Sequence, residues 1–237
     1  MTEKDRRKAY QIYLYLAALF ITSLVVSNLI FQKFFYWYPL GKDFTVFGAR
    51  LFEISVGILP YPITFLITDL ISEIYGKRKA NQIVTAGIFA SFFSMGIILL
   101  ANQAPALPTS PIQDDTFSHV FALSPIAVLA SMMAYLFAQY IDVTLYHFWK
   151  KVTKNKHLWI RNNFSTFTSQ FIDTFTVVFL LCLFGVLPWH LFYGLLISGF
   201  AFKLFIAVLD TPFLYLFVYI FRKRFHLAQG EEIKLDN

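Results

Sequence analysis

A bundle of six membrane-spanning helices, all-α and with both termini on the cytoplasmic side, is the fold this sequence predicts. Three observations predict it. The 237-residue chain is 57% hydrophobic and only 14% charged, where a soluble domain carries about 25% charged residues. Its apolar residues gather into six runs, each long enough to cross the roughly 30 Å of hydrocarbon in a bilayer. Its cations fall almost entirely in alternate connections between those runs.

The runs lie at about 11–35, 49–72, 81–101, 120–148, 164–187 and 191–221, within one domain of 1–237. Helices are expected because a lone helix satisfies its own backbone in lipid, and no short alternating strands stand out. The first run follows the mixed-charge "MTEKDRRKAY". It is longer than a signal-peptide core and lacks a small-residue cleavage site, so a retained span is expected. The second contains "LPYPITF". Pro60 and Pro62 there mark either a simple kink or a broken helix of the kind that builds transporter sites. Trp37, Trp149, Trp159 and Trp189 fall at span ends, as an interfacial belt requires. Cys182, the single cysteine, cannot form an internal disulfide and is expected to pack as a small hydrophobe. The tail "AQGEEIKLDN" is expected to be loosely ordered.

Orientation follows from the cations. Lys4, Arg6, Arg7 and Lys8 precede the first span, and Lys77, Arg78 and Lys79 separate the second from the third. Lys150, Lys151, Lys154, Lys156 and Arg161 separate the fourth from the fifth, and Arg222, Lys223, Arg224 and Lys234 follow the sixth. Only Lys33, Lys42 and Arg50 fall on the opposite side, and the loop "NQAPALPTSPIQDDTFSH" has no Lys or Arg at all. The net charge of +6 therefore reflects topology and contact with anionic lipid, not nucleic acid.

Ionisable groups within spans are costly and face a partner or a wet cavity. Here they are Glu53, Asp69, Glu73, Asp142, Asp173, Lys203 and Asp210, with Asn28, Gln82, Gln139 and Gln170 as neutral companions. "AQYIDV" and "SQFIDT" each place Gln three residues before Asp, as Gln139/Asp142 and Gln170/Asp173. Each helix thus presents an amide beside a carboxylate. That pairing suits a flat, nitrogen-rich heterocycle, or else joins the two helices. Lys203 is expected to neutralise Asp142 or Asp173. Asp210, next to Thr211 and Pro212, is expected to be structural. Asp69, Glu73 and Lys77 form an i, i+4, i+8 stripe in "FLITDLISEIYGKRKAN". A Glu73–Lys77 pair would account for its outer part but not for the deeper Asp69.

The block "PYPITFLITDLISEIYGKRKAN", with Pro62, Thr64, Asp69, Glu73, Tyr75 and Gly76 before a basic run, resembles the signature of the queuosine-precursor transporters, also called vitamin uptake transporters. "WIRNNFSTFTSQFIDT", with its Arg161-Asn-Asn and Gln-x-x-Asp elements, resembles the later helix of that family, and "QYIDV", Lys203 and "TPF" also fit. The resemblance implies a multi-pass protein of the bacterial inner membrane that imports the 7-deazaguanines preQ0 and preQ1. Under it, Asn28, Gln139, Asp142, Gln170, Asp173 and Lys203 are candidate substrate contacts, and Pro62, Thr64, Asp69, Glu73 and Arg161 are candidate gating or structural residues. No cofactor or metal is implied.

The family is similar in size and span number to the substrate-binding subunits of energy-coupling-factor importers. A subunit for another vitamin-like heterocycle, working with an energising partner or as a homo-oligomer, is therefore the alternative. "YGKRK" is not a Walker A motif, so ATP would act only through a partner; otherwise the chain is a facilitator or a proton-coupled carrier. An intramembrane enzyme is disfavoured because no metal-binding histidine pair or nucleophile elbow occurs. A purely structural subunit would not need so many buried carboxylates.

Overall fold

The computed structural model describes residues 2–31, 33–36, 45–46, 49–50, 53–122, 125–185 and 187–235. Trp37 and Lys42 lie outside them, as do the side chains of Arg50 and Glu53. The first helix, α1 (Glu3–Ile30), starts at Thr2, whose hydroxyl accepts from the Asp5 amide at 3.2 Å. Strands β1 (Phe34–Tyr36), β2 (Thr45–Val46), β3 (Ala49–Arg50) and β4 (Glu53–Ser55) form two antiparallel pairs, β1 with β4 and β2 with β3.

A 3₁₀ turn at Val56–Ile58 then leads into α2 (Tyr61–Ile74) and α3 (Lys77–Ala101). The four-residue α4 (Asp114–Phe117) and a π turn at Ser118–Ala122 precede α5 (Pro125–Val152). The antiparallel α5 and α6 (Leu158–Leu183) are the most extensively packed pair, and a 3₁₀ turn at Trp189–Leu191 opens α7 (Phe192–Phe225).

Among the described residues the fold is all-α apart from the two short strand pairs. Five segments among the described residues are long and apolar enough to cross a membrane: Glu3–Ile30, Val56–Ile74, Lys77–Ala101, Leu158–Leu183 and Trp189–Phe225. Phe89, Phe93, Tyr193 and Tyr219 point outward and are exposed, as lipid-facing side chains would be.

The second span departs from the expected 49–72 helix. Residues 53–55 pair with 34–36 as strand, and the α-helix begins only at Tyr61. Pro60 occupies the N-cap position and Pro62 the first turn, where a missing N–H costs nothing. Fourteen helical residues rise about 21 Å, short of the hydrocarbon thickness, and the 3₁₀ turn makes up part of the difference. The prolines therefore set a helix start rather than a kink.

This short helix is the centre of the bundle. From Thr64 to Ile74 every residue except Leu66 is buried, and α2 packs against α1, α3, α5 and α7. Ile67, Leu70, Ile71 and Ile74 join Phe20 and Leu24 of α1, Ile83 and Val84 of α3, and Leu214 and Val218 of α7 in one apolar cluster. Tyr75 donates to the Ala9 carbonyl at 2.8 Å and ties α2 to α1.

The C-terminal tail is not loose as expected. The Ile233 amide donates to the Ile74 carbonyl at 2.7 Å, and the Ile233 side chain is buried. The tail crosses the end of α2 at Gly76, whose φ of +83° and ψ of 172° are essentially restricted to glycine. A Cβ there would also collide with the Glu232 carboxylate. Gly76→Ala is expected to destabilise the solubilised protein by about 1–3 kcal/mol and to make the tail protease-sensitive; an unchanged melting temperature would contradict this packing.

Candidate functional site

The α5–α6 hairpin turns polar stripes inward at helical spacing: Tyr135, Gln139 and Asp142 on α5, and Thr166, Gln170 and Asp173 on α6. All six side chains are buried. Asp173 receives two donors on one oxygen, the Lys203 ammonium from α7 and the Tyr61 hydroxyl from the start of α2. Lys203 also lies 4.4 Å above the centre of the Tyr61 ring, a favourable cation–π placement. Of the two carboxylates weighed for Lys203, the structure thus selects Asp173.

The Tyr61 ring packs 5.5 Å from that of Tyr135, whose hydroxyl accepts from Gln139 Nε2 at 2.7 Å. Asp142 accepts from Ser169 Oγ at 2.9 Å, and Thr166 Oγ1 stands 3.5 Å from Asp69. Asp142 and Asp173 therefore belong to one continuous polar core contributed by α2, α5, α6 and α7. Several acceptors within it are short of donors: Gln139 Oε1, Gln170 Oε1, Asp69 Oδ1, Asp142 Oδ2 and Asp173 Oδ1 have no hydrogen-bond partner among the described residues. A native interior rarely leaves so many unsatisfied.

A narrow cleft reaches this core. Tyr61, Pro62, Thr166, Gln170, Lys203 and Asp210 are among its lining residues, with Phe65 and Phe202 supplying aromatic walls. Its volume of about 10 Å³ has room for about one water, so the conformation is closed around it. Asp210, expected to be structural, lies in this lining. Asn28 does not join the group. It lines a separate small cavity with Ser91, Met95 and Met132, between α1, α3 and α5.

Glu73 sits at the basic end of α2 with a different set of partners. Arg161 Nη2 of α6 lies 2.7 Å from its carboxylate, Arg222 of α7 binds the same oxygen, and Lys150 of α5 lies 3.7 Å from the other. Tyr146 donates to it at 3.1 Å, and Glu232 of the tail balances Lys150 at 2.8 Å. The expected Glu73–Lys77 pair is not formed; Lys77 is exposed. Thr64 donates to the Tyr61 carbonyl at 2.7 Å and so fixes the first turn of α2 beneath Tyr61. Arg161 and Glu73 thus pin the bundle together at its basic end, whereas Pro62 borders the cleft.

Residues 55–217 match the family model described as "Putative vitamin uptake transporter". The chain belongs to the vitamin uptake transporter family. A curated relative in Bacillus subtilis (strain 168), named "Probable queuosine precursor transporter", is 29% identical over 182 residues, covering 73% of this chain and 74% of its own length. No solved structure matches. The chain is accordingly a multi-pass membrane protein of a transporter family, and not an enzyme. The matched segment includes all of α2, α5 and α6 and the part of α7 bearing Lys203 and Asp210.

Sequence reading did not single out Tyr61, Tyr135 or Ser169. A signal for the two tyrosines was present. Tyr61 lies eight residues before Asp69, and Tyr135 lies four before Gln139 and seven before Asp142, on the same faces. Tyrosine is common enough in this aromatic-rich chain that such a stripe is not conspicuous alone.

Proposed function

We propose that this transporter imports 7-deazaguanine precursors of queuosine across the bacterial inner membrane, with both termini cytoplasmic and α5, fourth in chain order, completing six crossings. The base would lie flat in the cleft between α2, α6 and α7. The observation that carries the reading is the closed cleft against a carboxylate–lysine–tyrosine group deep within membrane helices. The name of the Bacillus relative supports the choice of substrate.

The chemistry is complementary. A guanine-like edge presents N1–H and a 2-amino group, two parallel donors that fit one carboxylate. Asp210 and Asp173 are the carboxylates at and next to the lining. Gln170 supplies an amide donor for O6, and Tyr61, Phe65 and Phe202 supply faces for stacking. Asp142 and Gln139 are not in the lining; they bond Ser169 and Tyr135 and so hold α5 in the polar core. Binding requires the cleft to widen, and Tyr61 is the side chain to move, because it bridges Asp173, Lys203 and the aromatic wall. The aminomethyl cation of preQ1 would then replace part of the positive charge on Asp173.

Uptake of labelled preQ1 tests this. Gln170→Ala and Asp210→Asn are expected to reduce uptake at least tenfold at matched membrane abundance, while Asn28→Ala, in its separate cavity, leaves it within twofold. Wild-type uptake no faster than that of vesicles lacking the protein, or both cleft variants behaving as wild type, would refute the proposal.

A further inference from the structure

Asp69 and Asp142 pose a problem that the substrate cleft does not resolve. Both carboxyl groups are almost completely buried, Asp69 on α2 at 3% exposure and Asp142 on α5 at 0%. The hydroxyls they meet, Thr166 and Ser169, lie three residues apart on one face of α6, so the two carboxyls approach the same patch of that helix. Ser169 serves one oxygen of Asp142 and Thr166 approaches one oxygen of Asp69. The remaining oxygens, Asp69 Oδ1 and Asp142 Oδ2, have no donor among the described residues. Two carboxylate oxygens facing each other are two acceptors, and a hydrogen bond between them needs a proton on one.

Among the described residues no cation forms an ion pair with either carboxylate. α7 brings a further acid, Asp210, to the cleft that Thr166 also lines, and Lys203 is bound to Asp173 of α6. On α2, Glu73 lies one turn beyond Asp69 and consumes Arg161 of α6, Arg222 of α7 and Lys150 of α5. From α5, Tyr146 donates to Glu73 and Tyr135 is occupied with Gln139. Tyr61, at the other end of α2, bonds Asp173. α1 and α3 meet α2 through the apolar cluster containing Phe20, Leu24, Ile83 and Val84. Two ionised carboxylates in this setting would repel, with two hydroxyl donors but no cation among the described residues to offset the charge.

We propose that Asp69 and Asp142 share one proton, and that this pair is the coupling site through which base import is driven by the proton gradient. The second half rests on the transport reading above. The closed conformation presses α2 onto α5 and α6 at this point, so it forms only with the proton bound. Without it, two anions on facing helices hold the bundle apart. A protein that must close around its cargo to deliver it then carries proton and base in the same direction. Thr166 links the two sites, because it both lines the cleft and approaches Asp69.

Two measurements on the full-length protein decide the matter. Infrared difference spectroscopy of the reconstituted wild type is expected to show the C=O stretch of a protonated carboxyl at neutral pH. It should vanish in Asp69→Asn and in Asp142→Asn, where the new amide donates to the remaining carboxylate, and persist in Asp210→Asn. Absence of the band in wild type, or its survival in both substitutions, overturns the shared proton. In vesicles with an internal pH dye, an inward gradient of preQ1 should acidify the lumen in wild type. Saturable uptake without acidification overturns the coupling and leaves the transport reading standing. No uptake with the band intact overturns the transport reading and the coupling together, and leaves the shared proton standing.

Discussion

Lys203→Met is expected to leave little folded protein in the membrane. The substitution removes the cation from a carboxylate that is 2% exposed, and an uncompensated buried charge typically costs about 3–5 kcal/mol. Tyr61 alone cannot offset it, because a neutral hydroxyl supplies a hydrogen bond but no charge. Adding Asp173→Asn should restore most of the loss, since the amide oxygen still accepts from Tyr61 and neither member of the former pair is ionised. The double variant should melt near wild type yet fail to import preQ1. Melting of the solubilised protein and uptake at matched abundance read the two effects separately. A single variant as stable as wild type would show that Lys203 does not hold Asp173.

Glu73→Gln is expected to have the second large effect. One carboxylate holds Arg161, Arg222 and Lys150, which arrive on three different helices, and Arg161 is 1% exposed. Removing the anion leaves buried cations facing one another, again a loss of about 3–5 kcal/mol. Glu232 still reaches Lys150 but none of the arginine contacts to Glu73. Lys77→Ala, which removes the cation four residues on at the start of α3, should change stability by no more than about 0.5 kcal/mol. Equal effects from the two substitutions would return the pairing of Glu73 to Lys77.

That contrast shows where sequence reading stops. An i, i+4 acid–base pair is worth only a few tenths of a kcal/mol on a helix surface, and Glu73 is not on a surface. Once α2 is surrounded on all sides, cations from α5, α6 and α7 are closer to its carboxylate than Lys77 is. The spans and the Gln–Asp repeats were legible because hydropathy and helical spacing are local properties. The partner of Asp173 was not, because it depends on the azimuth at which α7 meets α6.

The start of α2 was misjudged for a related reason. Apolar residues between 49 and 60 fit a strand or a helix equally well by composition, and pairing with residues 34–36 decides it. Asn28 illustrates the same limit in reverse. A buried amide in a span looks like a site residue, but the crossing of α1 turns it toward α3, away from the carboxylates.

The central claim is that a planar base occupies the cleft formed by Tyr61, Gln170, Lys203 and Asp210. A density map of the protein with saturating preQ1 tests it most directly. The account predicts a flat ligand against Tyr61 and Gln170, with its nitrogen-rich edge on Asp210 or Asp173 and the cleft widened around it. A base bound in the cavity beside Asn28, or an unchanged closed cleft at saturation, would contradict it.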